Sequence, residues 1–129
     1  MNRYYDILLE EMRGPYTVIL DKTYEDLAPA DCFDDGVDEA TGLPIFDIKQ
    51  MYEDINNGNL DWFMLRCRVF YEGVELASDY IGGFLYEDAK EVLTDGTAED
   101  MIYSTILDAD KEALNMKKKF AQLDIKEIS

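Results

Sequence analysis

The chain has 129 residues, with 29 Asp and Glu against 12 Lys and Arg and no histidine, for a formal charge of −17. That length suits a single domain (residues 1–129) with a real core, and 47% hydrophobic content with 12% aromatics is too apolar for intrinsic disorder. Lacking histidine, the sequence has neither the commonest general base nor the usual transition-metal ligand. A predominantly anionic surface opposes direct binding to nucleic acid or to anionic membranes. The charge is uneven: residues 1–110 carry 26 acidic and 7 basic side chains, a net of −19, and residues 111–129 a net of +2. No apolar run approaches the roughly 18 residues of a membrane span. The opening MNRYYDILLEEMRG places acids inside its apolar stretch and does not read as a signal peptide. The expected setting is therefore cytoplasmic.

In chain order, residues 4–9 and 16–20 are two apolar stretches separated by Met-Arg-Gly-Pro. The second, Tyr-Thr-Val-Ile-Leu, is rich in β-formers and reads as a strand. The first fits a strand hairpinned onto it, or a short helix with Tyr4, Leu8 and Met12 on one face, and strand is favoured. Residues 23–45 show no clear period and hold two of the three prolines, which predicts a long acidic loop. A helix follows, with Asp47 as N-cap, Ile48, Met51, Tyr52 and Ile55 at helical spacing, and Gly58 as stop.

The clearest hairpin flanks Glu72-Gly73. A two-residue turn there pairs positions whose numbers add to a constant. Phe63, Leu65, Cys67, Val69 and Tyr71 then share the core face with Val74, Leu76, Ser78, Tyr80 and Gly82. Trp62, Met64, Arg66, Arg68 and Phe70 lie on the other face, with Arg66 opposite Asp79 and Arg68 diagonal to Glu75 and Asp79. Gly82-Gly83 marks a bulge or a close helix-on-sheet contact. Beyond it, YEDAKEVLTDG predicts a short helix, and Thr-Ala-Glu-Asp at 97–100 resembles a capping box opening a long one. The long helix has an apolar seam at Ile102, Ile106, Ala109, Ala113, Met116 and Phe120. The seam can pack on the sheet or form a homodimer, since Ala109 and Ala113 permit close approach. The predicted fold is α+β: an antiparallel sheet of about four strands in two hairpins, with about three helices on one face. Residues 117–129 form a basic-leaning tail.

Residues carrying chemistry are few. Asp31, Asp34, Asp35, Gly36, Asp38 and Glu39 invite a calcium-loop reading, but Phe33 and Gly42 stand where ligands three and twelve are required. No metal and no cofactor is therefore expected. Cys32 and Cys67 are too few and too far apart for a disulfide framework or metal knuckle, and Cys67 reads as a small core residue. Neither phosphate-loop spacing is present around Gly82-Gly83, so the chain is expected to be non-catalytic. Lys117, Lys118 and Lys119 read as lysines complementing a helix C-terminus.

What remains is a binding surface. Its acidic members are Asp31, Asp34, Asp35, Asp38, Glu39, Glu53, Asp54, Glu72, Glu87 and Asp88. Tyr24, Tyr52, Trp62, Phe70 and Tyr86 stand ready as aromatic anchors, and several tyrosines sit beside paired acids. This combination suits a basic protein partner, one that handles nucleic acid, and no direct contact with nucleic acid. In size, acidity and repeated Tyr-acid pairs the chain resembles the small inhibitor proteins of phages and mobile elements, including anti-restriction and anti-CRISPR proteins. Some of those present carboxylates where DNA presents phosphates. The likeness is one of character, and no motif carries it. Two alternatives stay open: an immunity protein plugging the cationic cleft of a nuclease toxin, and an acidic metal-handling module resembling frataxin. The frataxin reading needs its acids on a helix and a neighbouring strand edge, whereas the densest acids fall in the loop.

Overall fold

A computed structural model describes residues 4–29, 36, 38–43 and 47–124. Four strands, β1 (Asp6–Arg13), β2 (Tyr16–Tyr24), β3 (Asp61–Tyr71) and β4 (Val74–Tyr86), form one antiparallel sheet in sequence order. Helix α1 (Ile48–Asn56) lies between β2 and β3, a five-residue 3-10 turn (Ala89–Leu93) follows β4, and helix α2 (Thr97–Ala121) closes the order. The α+β class with a four-stranded antiparallel sheet is as expected. The helices number two among the described residues, because the segment after β4 makes only the 3-10 turn.

Local chemistry explains most boundaries. Residues 6–13 extend as a strand because a partner strand takes up their backbone groups, with Arg13 opposite Tyr16. Asp47 caps α1 by accepting from the Gln50 N–H at 3.0 Å. The β3–β4 turn has positive φ at both central residues, 47° at Glu72 and 79° at Gly73. Those dihedrals match the twist of the flanking strands. Helix α2 departs from the expected capping box. Its N-cap is Gly96, at φ 96° and with no side-chain cap bond. The Thr97 N–H instead donates to Asp95 at 2.9 Å, and Glu99 turns to Arg13.

The hairpin register is the main correction. Tyr71 faces Val74 and Phe70 faces Glu75 as the turn dictates, but the pairing then slips by one residue, so Val69 faces Ala77. A second slip between Leu65 and Phe63 leaves Phe63 opposite Phe84. Arg66 therefore faces Tyr80, and Asp79 faces Cys67. Leu76 and Ala77 both pack toward the core, as do Phe84 and Tyr86, whereas Ser78 and Tyr80 are exposed. Each bulge admits one extra residue and reverses the faces beyond it.

The core is a single layer between sheet and α2. Val18, Leu20, Leu65, Cys67 and Val69 are fully buried beneath Ile102 and Ala109. Met101 and Thr105 join them, and the Thr105 hydroxyl is satisfied by the Met101 carbonyl at 2.7 Å. The seam of α2 is used only in part: Ile106 packs on the core, Ala113 and Met116 are half-buried, and Phe120 is 55% exposed. At the far end of β4 the glycine pair falls within the second bulge, as its composition suggested. The close approach there comes from a loop carboxylate, not from a helix. The Gly83 N–H donates to Glu25 Oε2 at 2.8 Å, and a Cβ on Gly82 would lie 2.1 Å from the same oxygen.

Gly82→Ala is therefore expected to displace Glu25 and to cost about 1 kcal/mol in urea unfolding, the worth of one hydrogen bond. Glu25→Ala should cost a similar amount and the double variant no more than either. Full additivity would show that the two residues act separately.

Candidate functional site

Helix α2 covers one face of the sheet and leaves the other to the alternate side chains of the strands. On that second face β2 presents Thr17, Ile19, Asp21 and Thr23, and β3 presents Met64, Arg66, Arg68 and Phe70. The β2–β3 register sets Asp21 directly opposite Arg66. Asp21 is 1% exposed, and its two oxygens accept from Arg66 Nε at 2.9 Å and Arg66 NH2 at 2.6 Å, a bidentate fork. Arg68 NH2 approaches the same carboxylate at 3.3 Å. The Tyr5 ring stacks on the Arg66 guanidinium at 3.6 Å, and Arg68 lies 5.4 Å from the Phe70 ring. Hydrogen bonding to Asp21 raises the Arg66 pKa above its ordinary value. The two arginines are thus neutralised across β2, not by Asp79 and Glu75 across β4. Arg68 Nε is buried with no partner among the described residues.

The signal for Asp21 was present in the strand itself. With Tyr16, Val18 and Leu20 facing the core, Asp21 must face the other way, alongside whichever arginine β3 sets opposite. The β2–β3 pairing is joined by no tight turn, so the identity of that arginine could not be read.

The predicted acidic residues are placed in several separate settings. Asp31, Asp34 and Asp35 lie outside the described residues. Asp38 and Glu39 are exposed in a turn where the Gly42 N–H reaches the Asp38 carbonyl at 2.7 Å and the Ala40 N–H reaches Asp38 Oδ1 at 2.9 Å. Glu53 is exposed on α1, and Asp54 beside it accepts from Gln50 Nε2 at 3.1 Å. Glu72 stands at the β3–β4 tip. Glu87 and Asp88 are exposed after β4, where Asp88 caps the 3-10 turn through the Lys90 N–H at 2.9 Å. Among the described residues no group of three or more acidic or cysteine side chains is arranged to hold a metal ion.

The aromatic residues divide by role. Tyr24 and Tyr52 are exposed. Trp62 is half-buried, and its indole N–H donates to the Leu27 carbonyl at 2.8 Å. Phe70 lies beside Arg68 as described. Tyr86 is engaged internally, its ring 5.8 Å from Phe63 and its hydroxyl donating to Asp95 at 2.5 Å. That bond raises the Tyr86 pKa and lowers that of Asp95.

Other cations are also held inside the fold. Arg13 pairs with Glu11 at 2.5 Å and with Glu99 at 2.6 Å, which holds the Glu99 carboxyl below its usual range. Lys22 pairs with Asp61 at 3.3 Å. Cys67 is completely buried, and desolvation pushes its thiol pKa up, which keeps it protonated and unreactive. Tyr16 donates its hydroxyl to Asp110, tying the start of β2 to α2, and this bond pushes the Tyr16 pKa up to about 12. No protein-family model, curated protein or solved structure matches the chain.

Two outcomes follow from this geometry. Asp21→Asn should cost about 3 kcal/mol in denaturant unfolding, because it leaves two largely buried guanidiniums without their counter-charge. Replacing Asp21, Arg66 and Arg68 together by Leu, Met and Met should restore most of that loss; a triple variant weaker than the single one would refute the account. For Tyr16, a pKa raised in the fold means a contribution present below the unfolded value of about 10. It is lost as pH rises through about 12. An absorbance titration should show tyrosine ionisation extending to about pH 12, and Tyr16→Phe should remove that last step while leaving the late ionisation of Tyr86 in place.

Proposed function

We propose that the protein is a non-catalytic acidic binding protein that occupies a cationic surface of a nucleic-acid-handling protein, an inhibitor of the DNA-mimic kind. The observation that carries this reading is how the fold distributes its charge. Arg13, Lys22, Arg66 and Arg68 are each engaged by carboxylates within the fold. The other described cations are Lys49, Lys90 and four lysines toward the C-terminal end of α2. The body therefore faces solvent with carboxylates well in excess of cations. Such a field speeds encounter with a cationic partner and rejects anionic ones. Exposed Glu53, Glu72, Glu87 and Asp88 supply the charge, and Tyr24 and Tyr52 supply amphipathic anchors whose rings can be buried at an interface.

The test begins with capture of partners from a bacterial lysate at low salt and identification by mass spectrometry. The captured protein should handle nucleic acid, and duplex DNA should displace it. Affinity should fall by about tenfold or more between roughly 50 and 200 mM salt, as for an electrostatic footprint of several charges. Affinity indifferent to salt, or a complex that DNA does not compete, would overturn the reading. A nuclease toxin as the sole captured partner would favour the immunity-protein alternative.

A further inference from the structure

The C-terminal half of α2 overhangs the sheet. At about 1.5 Å per residue the helix is longer than the core it covers, and its fully buried positions stop at Ala109. The last turns and the hairpin ends, at Pro15, Tyr16, Tyr71 and Val74, leave between them an open groove of about 570 Å³. Its walls are apolar: Tyr16, Tyr71, Val74 and Leu76 from the sheet, Met116 and Phe120 from the helix. Val74 and Phe120 are each more than half exposed. A groove with an exposed phenyl ring at its rim can be closed by the same ring of a second copy, the self-complementary form a twofold interface takes.

Charge selects the occupant. Two copies of this chain repel through bodies of net −19, except where the sequence turns basic. That place includes the groove, which Lys117 lines; Lys118 and Lys119 follow on other sides of the same last turn. Glu72 stands between the groove residues Tyr71 and Val74 at the hairpin tip, so each copy offers an acid as well as a lysine run. With a screening length near 8 Å at physiological salt, such local pairs outweigh the distant repulsion of the bodies. A cationic partner protein would meet the lysine rim unfavourably.

We infer that this groove is a homodimer interface in which Phe120 of each copy enters the groove of the other and Lys117 faces the partner copy's hairpin tip. The inference stands apart from the acidic-surface reading, and neither depends on the other. It also shifts the expected dimer seam, because Ile102 and Ala109 are committed to the sheet.

Sedimentation velocity on the full chain at 150 mM salt, from about 1 to 200 µM, should show a concentration-dependent monomer–dimer equilibrium. Phe120→Glu and Val74→Glu, at exposed positions outside the buried core, should each weaken it at least tenfold while circular dichroism confirms an unchanged fold. Glu72→Lys should weaken the homodimer, and mixing it with a Lys117→Glu variant should yield a heterodimer. A monomer throughout the range, or a dimer indifferent to Phe120→Glu, would overturn the inference.

Discussion

A single buried carboxylate, Asp21, holds the two central strands in register. It is the acid most deeply enclosed among the described residues, and it is tolerated there because Arg66 meets it with two parallel bonds and Arg68 adds a third. A one-residue slip of β2 against β3 would turn Asp21 toward the apolar layer beside Leu65 and Cys67, with no cation to meet it. The cost of a wrong pairing is therefore far larger than the net gain from the right one. The cluster acts as a specificity device, since buried ion pairs contribute modestly to stability but penalise misplacement heavily. The Tyr5 ring on Arg66 extends the same cluster toward the start of β1.

Register in the centre decides what the edges can do. With Val18, Leu20, Leu65, Cys67 and Val69 on one face, α2 has a continuous apolar floor for its first half. It is fastened at its first turn by Arg13 to Glu99 and further along by Tyr16 to Asp110. Both ties join the β1–β2 hairpin to the helix, so the edge strand and the helix are positioned together. Beyond Asp110 the remaining turns of α2 share an open groove with the hairpin ends, and Ala113, Met116 and Phe120 are only partly covered there. The basic character of those turns then falls beside exposed apolar surface, that of Val74 and Phe120.

How much of this the sequence revealed depends on whether each contact is local. The β2 and β3 strands, the Glu72-Gly73 turn, the Asp47 cap and the burial of Cys67 each follow from residues within one element or one turn. The β4 register did not. Its first bulge, near Leu76, carries no glycine to announce it, and one inserted residue moved Asp79 from Arg66 to Cys67 and put Tyr80 in its place. The partner of Arg66 was missed for a different reason: β2 and β3 are adjacent in the sheet but separated by 36 residues that include α1, so no turn geometry sets their alignment. The Thr97 capping box failed because Asp95 reached the Thr97 N–H first. Of the candidate site, the composition of the surface was legible from the sequence, but its layout depends on these non-local registers.

The layout matters for the binding role proposed above, because carboxylates differ in what it costs to hold them in place. Glu53 and Glu87 are long exposed side chains that lose rotamer freedom when a partner fixes them. Asp88 and Asp38 are already fixed by backbone N–H groups, and Asp54 by the Gln50 amide. Part of their ordering cost has thus been met within the fold. In the proposed binding role the short, pre-set aspartates would meet a cation at a lower ordering cost than the glutamates, which add long-range attraction. The same division separates encounter rate from residence time, since diffuse charge speeds association and a fixed hydrogen-bonded charge slows release.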